Sequence, residues 1–421
     1  MKNNRRYDLS ERLIHFFRNL DLDDGTAPHL PEEWGWSNIA EPPKFSAMFL
    51  MRCAIRHGRI WATWAMRSRV RTIYGPNPAI CFTDMPTAAF LEASFERQKA
   101  GQKISSMALT FSKKHMFDLG ARPVIYGLTE DNVSIPSGGG GGPRIIPVSA
   151  MPYGEQYRYV AYYPTGSRRV DWTHEREWRW RYNGSLKEFE SEIVQHGQVN
   201  GVRDIPGLDI YNQTLNNIGV IVNTDEEAKM VLHDVLVLVD RRQISPTTYD
   251  YVFVSDKIPS PATIRDPDSE QEAIANATID LTEFITPKPQ RDHRLAQRVK
   301  AISLEVEASA GDPKVGEPGG CWLWLVDNVH VLTRALLNCG NVVINREGKY
   351  LMPLHLSNGE RALRQREEIT TELAQRLGKE FGIESGYYSV LASNDPNGLP
   401  FYNDNHINNE RHYNLSCYGL S

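Results

Sequence analysis

Several features that would place the chain in a familiar class are missing. Its 421 residues include only five cysteines, and Cys53, Cys81, Cys321, Cys339 and Cys417 form no CxxC pair. Neither a zinc cluster nor a disulfide framework is expected from such spacing. No run approaches the roughly 18 apolar residues that a membrane helix requires. The opening residues, MKNNRRYDLSERLIHFF, lack the unbroken apolar stretch and small-residue cleavage site of a secretory leader. These absences lead to the expectation of a soluble, reduced, cytoplasmic protein. Five glycines in succession, Gly138 to Gly142, lack the GKS or GKT ending of a P-loop, which excludes that phosphate cradle. A flap or a plain insertion is expected there instead. No internal repeat is visible.

What is present is an ordinary globular composition, 41% hydrophobic and 24% charged, long enough for two or three folding units. The net charge of −5 conceals an uneven distribution. Lys44 to Lys187 hold 21 Lys and Arg against 10 Asp and Glu, and the remainder holds 26 against 42. A basic half suits an anionic ligand such as a dinucleotide or a nucleic acid, although solvated arginines on exposed faces produce the same count.

Ser10 and the spacing of Leu13, Phe16, Phe17 and Leu20 predict a first helix, and Ser46 to His57 a second, closed by Gly58. Strands are expected over 59–63, 79–83, 105–112 and 122–127, and paired strands over 157–163 and 172–182. A buried strand over 219–223 leads into a helix over 225–239, which Thr224 and Glu227 introduce as a capping box. A strand over 249–254 follows. The Pro-, Asp- and Ala-rich residues 259–290 are expected to link a first domain, 1–258, to a second, 291–421. The second domain reads as a helix over 293–308, a strand over 321–326 and a helix over 328–337. A hairpin over 341–353, a long helix over 359–381 and a strand over 387–392 complete it. That order predicts a small α+β sandwich.

Chemistry concentrates in three segments. In Val170-Asp171-Trp172-Thr173-His174-Glu175-Arg176-Glu177-Trp178-Arg179-Trp180, a strand would place Glu175, Glu177 and Arg179 on one face. Two carboxylates so placed can orient hydroxyls or stabilise a developing cation; a solvated strand of ion pairs over core tryptophans is the bland alternative. The second segment runs from Arg56 and His57 through Arg67, Arg69 and Arg71 to Tyr74, and the third from Pro78 to Pro86. They offer arginines for phosphates, rings for a planar group, and Thr83 as a hydroxyl. A solvated basic helix and an ordinary buried strand are the bland alternatives, each the favoured reading of its segment taken alone. In the C-terminal part Asp327, Arg334, Arg361 and Asp395 match no metal or nucleophile pattern, and structural roles are expected for them.

HGRIWAT, IYGPNPAICFTDMP, GARPVIYG and DWTHEREWRW together resemble the AbiGi-type abortive-infection proteins, which are similar to the ADP-ribosyltransferase superfamily and its DarT-like enzymes. The resemblance spans residues 45–255, with HEREWR its most specific piece. It implies an α+β fold with a split β-sandwich that grips NAD, used as a substrate, between two small sheets. It further implies that Glu177 stabilises an oxocarbenium-like ribose, that Glu175 orients the acceptor, and that Thr83 is the hydroxyl residue of the second core strand. Phe82 or Tyr74 would lie against nicotinamide, and Arg69 and Arg71 near the pyrophosphate. No His or Arg of a first motif is identifiable ahead of residue 46. The implied activity is NAD-dependent ADP-ribosylation by an anti-phage toxin or effector, with RNA, DNA or protein as acceptor. A non-catalytic sensor or antitoxin of the same fold is the competing expectation. The segments GGCWLWLVDN, TRALL and SVLASNDPNGLPFY resemble an uncharacterised bacterial domain.

Overall fold

A computed structural model describes residues 9–21, 44–67, 70–127, 144–164, 170–184, 186, 206–213, 215–258, 260, 270–354 and 361–401. The fold is mixed α/β, with one large mixed sheet and one small antiparallel sheet. The chain divides into two compact units, residues 1–228 with 247–280, and residues 229–246 with 281–421.

The first unit is built on eight strands: β1 (Arg12–Phe16), β2 (Ala79–Thr83), β3 (Ala108–Ser112), β4 (Arg122–Pro123), β5 (Glu177–Arg181), β6 (Ile218–Val222), β7 (Tyr249–Val254) and β8 (Thr278–Asp280). Their order across the sheet is β8-β7-β6-β3-β1-β2-β5-β4. Only β6 and β7 run parallel. The expected first helix is instead β1, at the middle of the sheet. Leu13 and Ile14 are buried on its two faces, and a short apolar run of that kind suits a doubly covered strand as well as a helix. Ser10 accepts the N–H of Arg12 at 3.0 Å, a local turn that opens the strand rather than a helix cap.

Helix α1 (Ala47–His57) forms where its end signals predict. The Ser46 hydroxyl accepts from Phe49 N, and Gly58 closes the helix at φ +63°. Helix α2 (Thr87–Lys99) carries no sequence expectation. It buries Ala88, Phe90 and Leu91 in a cluster that includes Ile14, Ala108, Ile221 and Phe253 of the sheet. Around the sheet, Arg59–Trp61 pairs with Gly207–Asp209, and Ile125–Tyr126 runs parallel to Tyr159–Val160. The glycine run, 138–142, lies outside the described residues.

Helix α3 (Asp225–Asp240) opens with the predicted capping box: Thr224 N donates to Glu227 Oε2 at 3.1 Å, and Glu227 N to Thr224 Oγ1 at 3.2 Å. The division of the chain falls inside this helix and returns at residue 247. Residues 259–290, expected to be a linker, include the helix Glu270–Ala277 and edge strand β8, which pairs with β7.

The second unit contains α4 (Pro289–Ser309), β9 (Gly319–Leu325), α5 (Val331–Asn338), β10 (Val343–Ile344), β11 (Tyr350–Pro353), α6 (Leu363–Phe381) and β12 (Ser385–Leu391). Its sheet order is β10-β11-β9-β12, all antiparallel. The core joins Val299, Ile302, Leu332, Leu336 and Leu373 of the helices to Leu323, Leu325 and Met352 of the sheet. Val237 of α3 belongs to the same cluster. Asp240, at the end of α3, forms a bidentate pair with buried Arg334 at 2.6 and 2.9 Å and accepts from Tyr350 Oη at 2.6 Å. Asp327 and Asp395 accept from nearby backbone N–H groups of Val329 and Asn397.

A close approach in the first unit gives a test. A Cβ on Gly219 would run into the ring and hydroxyl of Tyr251 and lie 2.6 Å from Thr110 Oγ1. Gly219→Ala is expected to destabilise the protein by about 2 kcal/mol in urea unfolding, the ordinary cost of overpacking. An unchanged midpoint would show that the two strands accommodate the methyl group.

Candidate functional site

Strands β1 and β2 touch through a single register pair, Ile14 with Thr83. Every other pairing of β1 is made to β3 on its far side. Where β1 and β2 part, the Cys81 carbonyl is met by a side chain: His15 Nδ1–H donates to it at 2.9 Å. Burial lowers the pKa of His15 to about 4, against the raising effect of that bond. The ring is therefore neutral at pH 7, with its other nitrogen left as an acceptor. A cleft of about 520 Å³ lies along this divergence, bordered by residues of β1, α1, β2 and β5. Its apolar wall includes Phe16, Leu50, Trp61, Tyr74, Phe82 and Trp172. Arg18, Arg59, Arg97, Lys103, Arg144 and Arg179 also border it, against the carboxylates of Glu175 and Glu177. That balance favours an anionic ligand with a flat apolar portion.

Strand β5 pairs in register with β2, Glu177 opposite Thr83 and Arg179 opposite Cys81. Glu177 and Arg179 thus share one face, as the alternation predicts. Glu175 does not belong to the strand. It ends a short 3₁₀ turn, Thr173–Glu175, and Arg176 turns the chain at φ +47° before β5 begins. Both carboxylates nevertheless border the cleft.

Each carboxylate has a guanidinium partner. Arg179 holds Glu177 through Nε to Oε1 at 2.7 Å and Nη2 to Oε2 at 3.1 Å. Its remaining nitrogen, Nη1, donates to the carbonyls of Tyr157 and Tyr159. Burial opposes the charge of Arg179, yet the Glu177 carboxylate raises its pKa above the ordinary value. The neighbouring Cys81 thiol is pushed well up, first by burial and then by Glu177, and so stays protonated and unreactive. Arg97 of α2 donates to Glu175 Oε1 at 2.6 Å and to Gln102 Oε1 at 2.6 Å.

The turn between the two glutamates is fixed from the end of β2. The Thr83 hydroxyl donates to the Glu175 carbonyl at 2.7 Å and accepts from Met85 N at 3.1 Å. Thr83 therefore acts on the backbone, its proton already committed. Asp84 accepts from Arg176 Nε at 2.7 Å, Lys113 Nζ at 2.7 Å and Trp178 Nε1 at 3.2 Å. Burial works against its ionisation, but the Lys113 and Arg176 bonds outweigh it and hold the carboxyl below its ordinary range.

The other expected residues divide. Phe82 borders the cleft but is opposite Trp178, on the reverse face from Glu177, with its ring against His15 and Phe111. Tyr74 borders the cleft on edge to Tyr159, with the Arg144 guanidinium 4.2 Å above its ring. Arg71 stacks on Trp64 at 3.8 Å and is absent from the lining. Arg69 lies outside the described residues. The basic groups that border the cleft are those named above, and Arg71 is not among them. His15 and Arg97 were missed in the sequence: the first sits in a segment with helical spacing, the second on a helix without an apolar stripe.

Among the described residues, no group of three or more His, Cys, Asp or Glu side chains could hold a metal, and no helix is long and apolar enough to cross a membrane. A family described as a protein of unknown function (DUF4427) matches residues 291–415. No curated protein and no solved structure matches the chain.

The half-buried His15 imidazole makes stability depend on pH. Unfolded histidine takes up a proton near pH 6.5, whereas folded His15 does so only near 4. The unfolded state thus binds more protons between those values, and stability falls as the pH is lowered through that window. His57, also lowered to about 4 by burial and by Arg56, acts in the same direction. At pH 5 the His15 contribution is about 2 kcal/mol relative to neutral pH. Thermal melts at pH 7 and pH 5 should separate for the wild type and converge partly in His15→Asn. Parallel pH profiles for the two proteins would refute the assignment.

Proposed function

We propose that the first unit is a split β-sandwich of ADP-ribosyltransferase type, and that the protein is an NAD-dependent ADP-ribosyltransferase acting as an anti-phage toxin or effector. The observation that carries this is Glu177: its side chain, 17% exposed, borders a cleft at the point where two sheet strands separate. A cleft of about 520 Å³ has the capacity of a small-molecule site.

In this proposal Glu177 stabilises the positive charge that develops on the ribose as the bond to nicotinamide breaks. Arg179 keeps the carboxylate in one orientation and leaves part of its acceptor capacity open, since an ionised carboxylate accepts about four bonds. Glu175 faces the acceptor and is released to it by Arg97. His15, as a neutral acceptor on β1, supplies the contact that no residue identified in the sequence ahead of position 46 provided. Arg59 and Arg144 bear on the phosphates. Tyr74, with one face under Arg144, is the aromatic group for the nicotinamide end, since Phe82 lies on the reverse face from Glu177.

A second reading draws on a specific observation. Both glutamates are matched to guanidinium groups and the Thr83 proton is spent on a backbone carbonyl. A site so internally satisfied suits a non-catalytic sensor or antitoxin that binds a nucleotide without breaking it.

Incubation with radiolabelled NAD separates the two. Transfer predicts nicotinamide release and label on a macromolecule, simple hydrolysis predicts free ADP-ribose, and the binding protein predicts neither. Glu177→Gln should abolish nicotinamide release and any growth toxicity, with a thermal melt checking that the Arg179 pair's loss has not unfolded the protein. Full turnover by a folded Glu177→Gln variant would defeat the proposal.

A further inference from the structure

Tyr126 does not itself border the cleft, yet its half-buried side chain acts on the turn that carries Glu175. It ends a short stretch, 124–126, that leaves edge strand β4 after Pro123 and continues beside Tyr159–Val160, with Tyr126 in register with Val160. Gly127 closes the stretch at φ +63°, its N–H on the Val160 carbonyl at 2.8 Å. Two bonds connect these residues to the two glutamates. Val124 N–H donates to the Glu177 carbonyl at 3.1 Å. The Tyr126 hydroxyl donates to the Trp172 carbonyl at 3.3 Å, and the same carbonyl accepts the Glu175 N–H at 3.0 Å.

Glu175 is therefore held by both of its main-chain groups. Its carbonyl accepts the Thr83 hydroxyl at 2.7 Å, and its N–H rests on the carbonyl that Tyr126 fixes. A carbonyl oxygen has two lone pairs, so Trp172 can take both bonds at once. Burial, and then the charges of Glu177 and Glu175, raise the Tyr126 pKa against the pull of the Glu177 backbone and Arg179, so the hydroxyl remains a donor at neutral pH. Both carboxylates thus act on this one phenol. Because its neighbour Val124 bonds the first residue of β5 directly, the stretch 124–126 sets how far the Glu175 turn stands from Glu177.

We propose that Tyr126 is a positioning residue for Glu175 and, through it, sets how the ribosyl cation is divided between acceptor and water. The inference rests on the proposed transferase reading and deepens it. In that reaction the bond from ribose C1′ to nicotinamide breaks and nicotinamide leaves as a neutral molecule. A bond forms from C1′ to the nucleophile of the acceptor, whose proton passes through the Glu175 carboxylate to solvent. With water as the nucleophile the product is free ADP-ribose. Glu177 stabilises the cation on either route, whereas Glu175 serves the acceptor. An acceptor held slightly out of line loses its advantage over water. Loosening the Glu175 turn therefore diverts the cation to water without slowing its formation.

The test uses Tyr126→Phe, which keeps the ring and removes the donor. The full chain is given radiolabelled NAD and a bacterial extract as the source of acceptor macromolecules, and nicotinamide, free ADP-ribose and macromolecular label are each measured. Nicotinamide release by the variant should keep the kcat and KM for NAD within about twofold of the wild type, while the ratio of macromolecular label to free ADP-ribose falls about tenfold, the effect of one lost hydrogen bond. In a Glu175→Gln background the same substitution should leave that ratio unchanged, because the hydroxyl acts through Glu175. A purely structural role for Tyr126 would lower release and transfer together. That result, an unchanged ratio in Tyr126→Phe, or a further fall in the Glu175→Gln background would overturn the inference and leave the transferase standing. No nicotinamide release by the wild type would remove both.

Discussion

The Arg179 guanidinium is the interaction on which the first unit's site depends. It is nearly out of contact with solvent, and it makes two bonds to Glu177 and, through Nη1, two more to the carbonyls of Tyr157 and Tyr159. Without the carboxylate, a buried cation would be left with carbonyls alone, a loss that commonly costs about 3–5 kcal/mol. Without the carbonyls, the strand carrying Glu177 would lose its hold on the segment that leads into Val160 and Ala161 at the cleft border. One side chain thus joins the sheet, the cleft wall and the carboxylate proposed to do the chemistry.

A second constraint is the corner at Arg176. A non-glycine residue in left-handed backbone is uncommon, and here Asp84 secures it. The Arg176 side chain bonds the Asp84 carboxylate, and the Arg176 carbonyl accepts the Asp84 N–H at 3.1 Å. The turn rotates Glu175 out of the strand's alternation, which lets each glutamate find its own guanidinium. In a continuous strand the two acids would compete for one face with Arg179 alone between their charges.

The parts of the fold legible in the sequence are those governed by local chemistry. Ser46 and Gly58 bound α1, Thr224 and Glu227 begin α3, and Gly382 ends α6 in left-handed conformation, each through bonds within a few residues. The apolar runs of β2, β6, β7 and β9 were legible because strands of that length with β-branched or aromatic residues have few alternatives. β1 was not, since Leu13, Ile14 and Phe16 satisfy a helix as well as a strand, and only pairing with β3 decides. The same ambiguity concealed His15. For Glu175, nothing in His-Glu-Arg-Glu marks the left-handed residue, because Asp84, which holds it, is 92 residues away. Arg71 was a plausible phosphate ligand by composition, yet the neighbouring Trp64 provides it a ring to stack on.

Helix α3 carries a consequence for the order in which the protein is made. Val237 and Asp240 leave the ribosome before the residues that complete their surroundings, Val299, Arg334, Tyr350 and Leu373. During that interval an apolar helix with a carboxylate at its end has none of those partners, a state that invites aggregation or capture by a chaperone. No single cut can free the C-terminal unit intact, because eighteen of its residues, 229–246, fall in the sequence between segments of the other unit. Nascent-chain arrest ahead of residue 373 is therefore a point of vulnerability for the whole polypeptide.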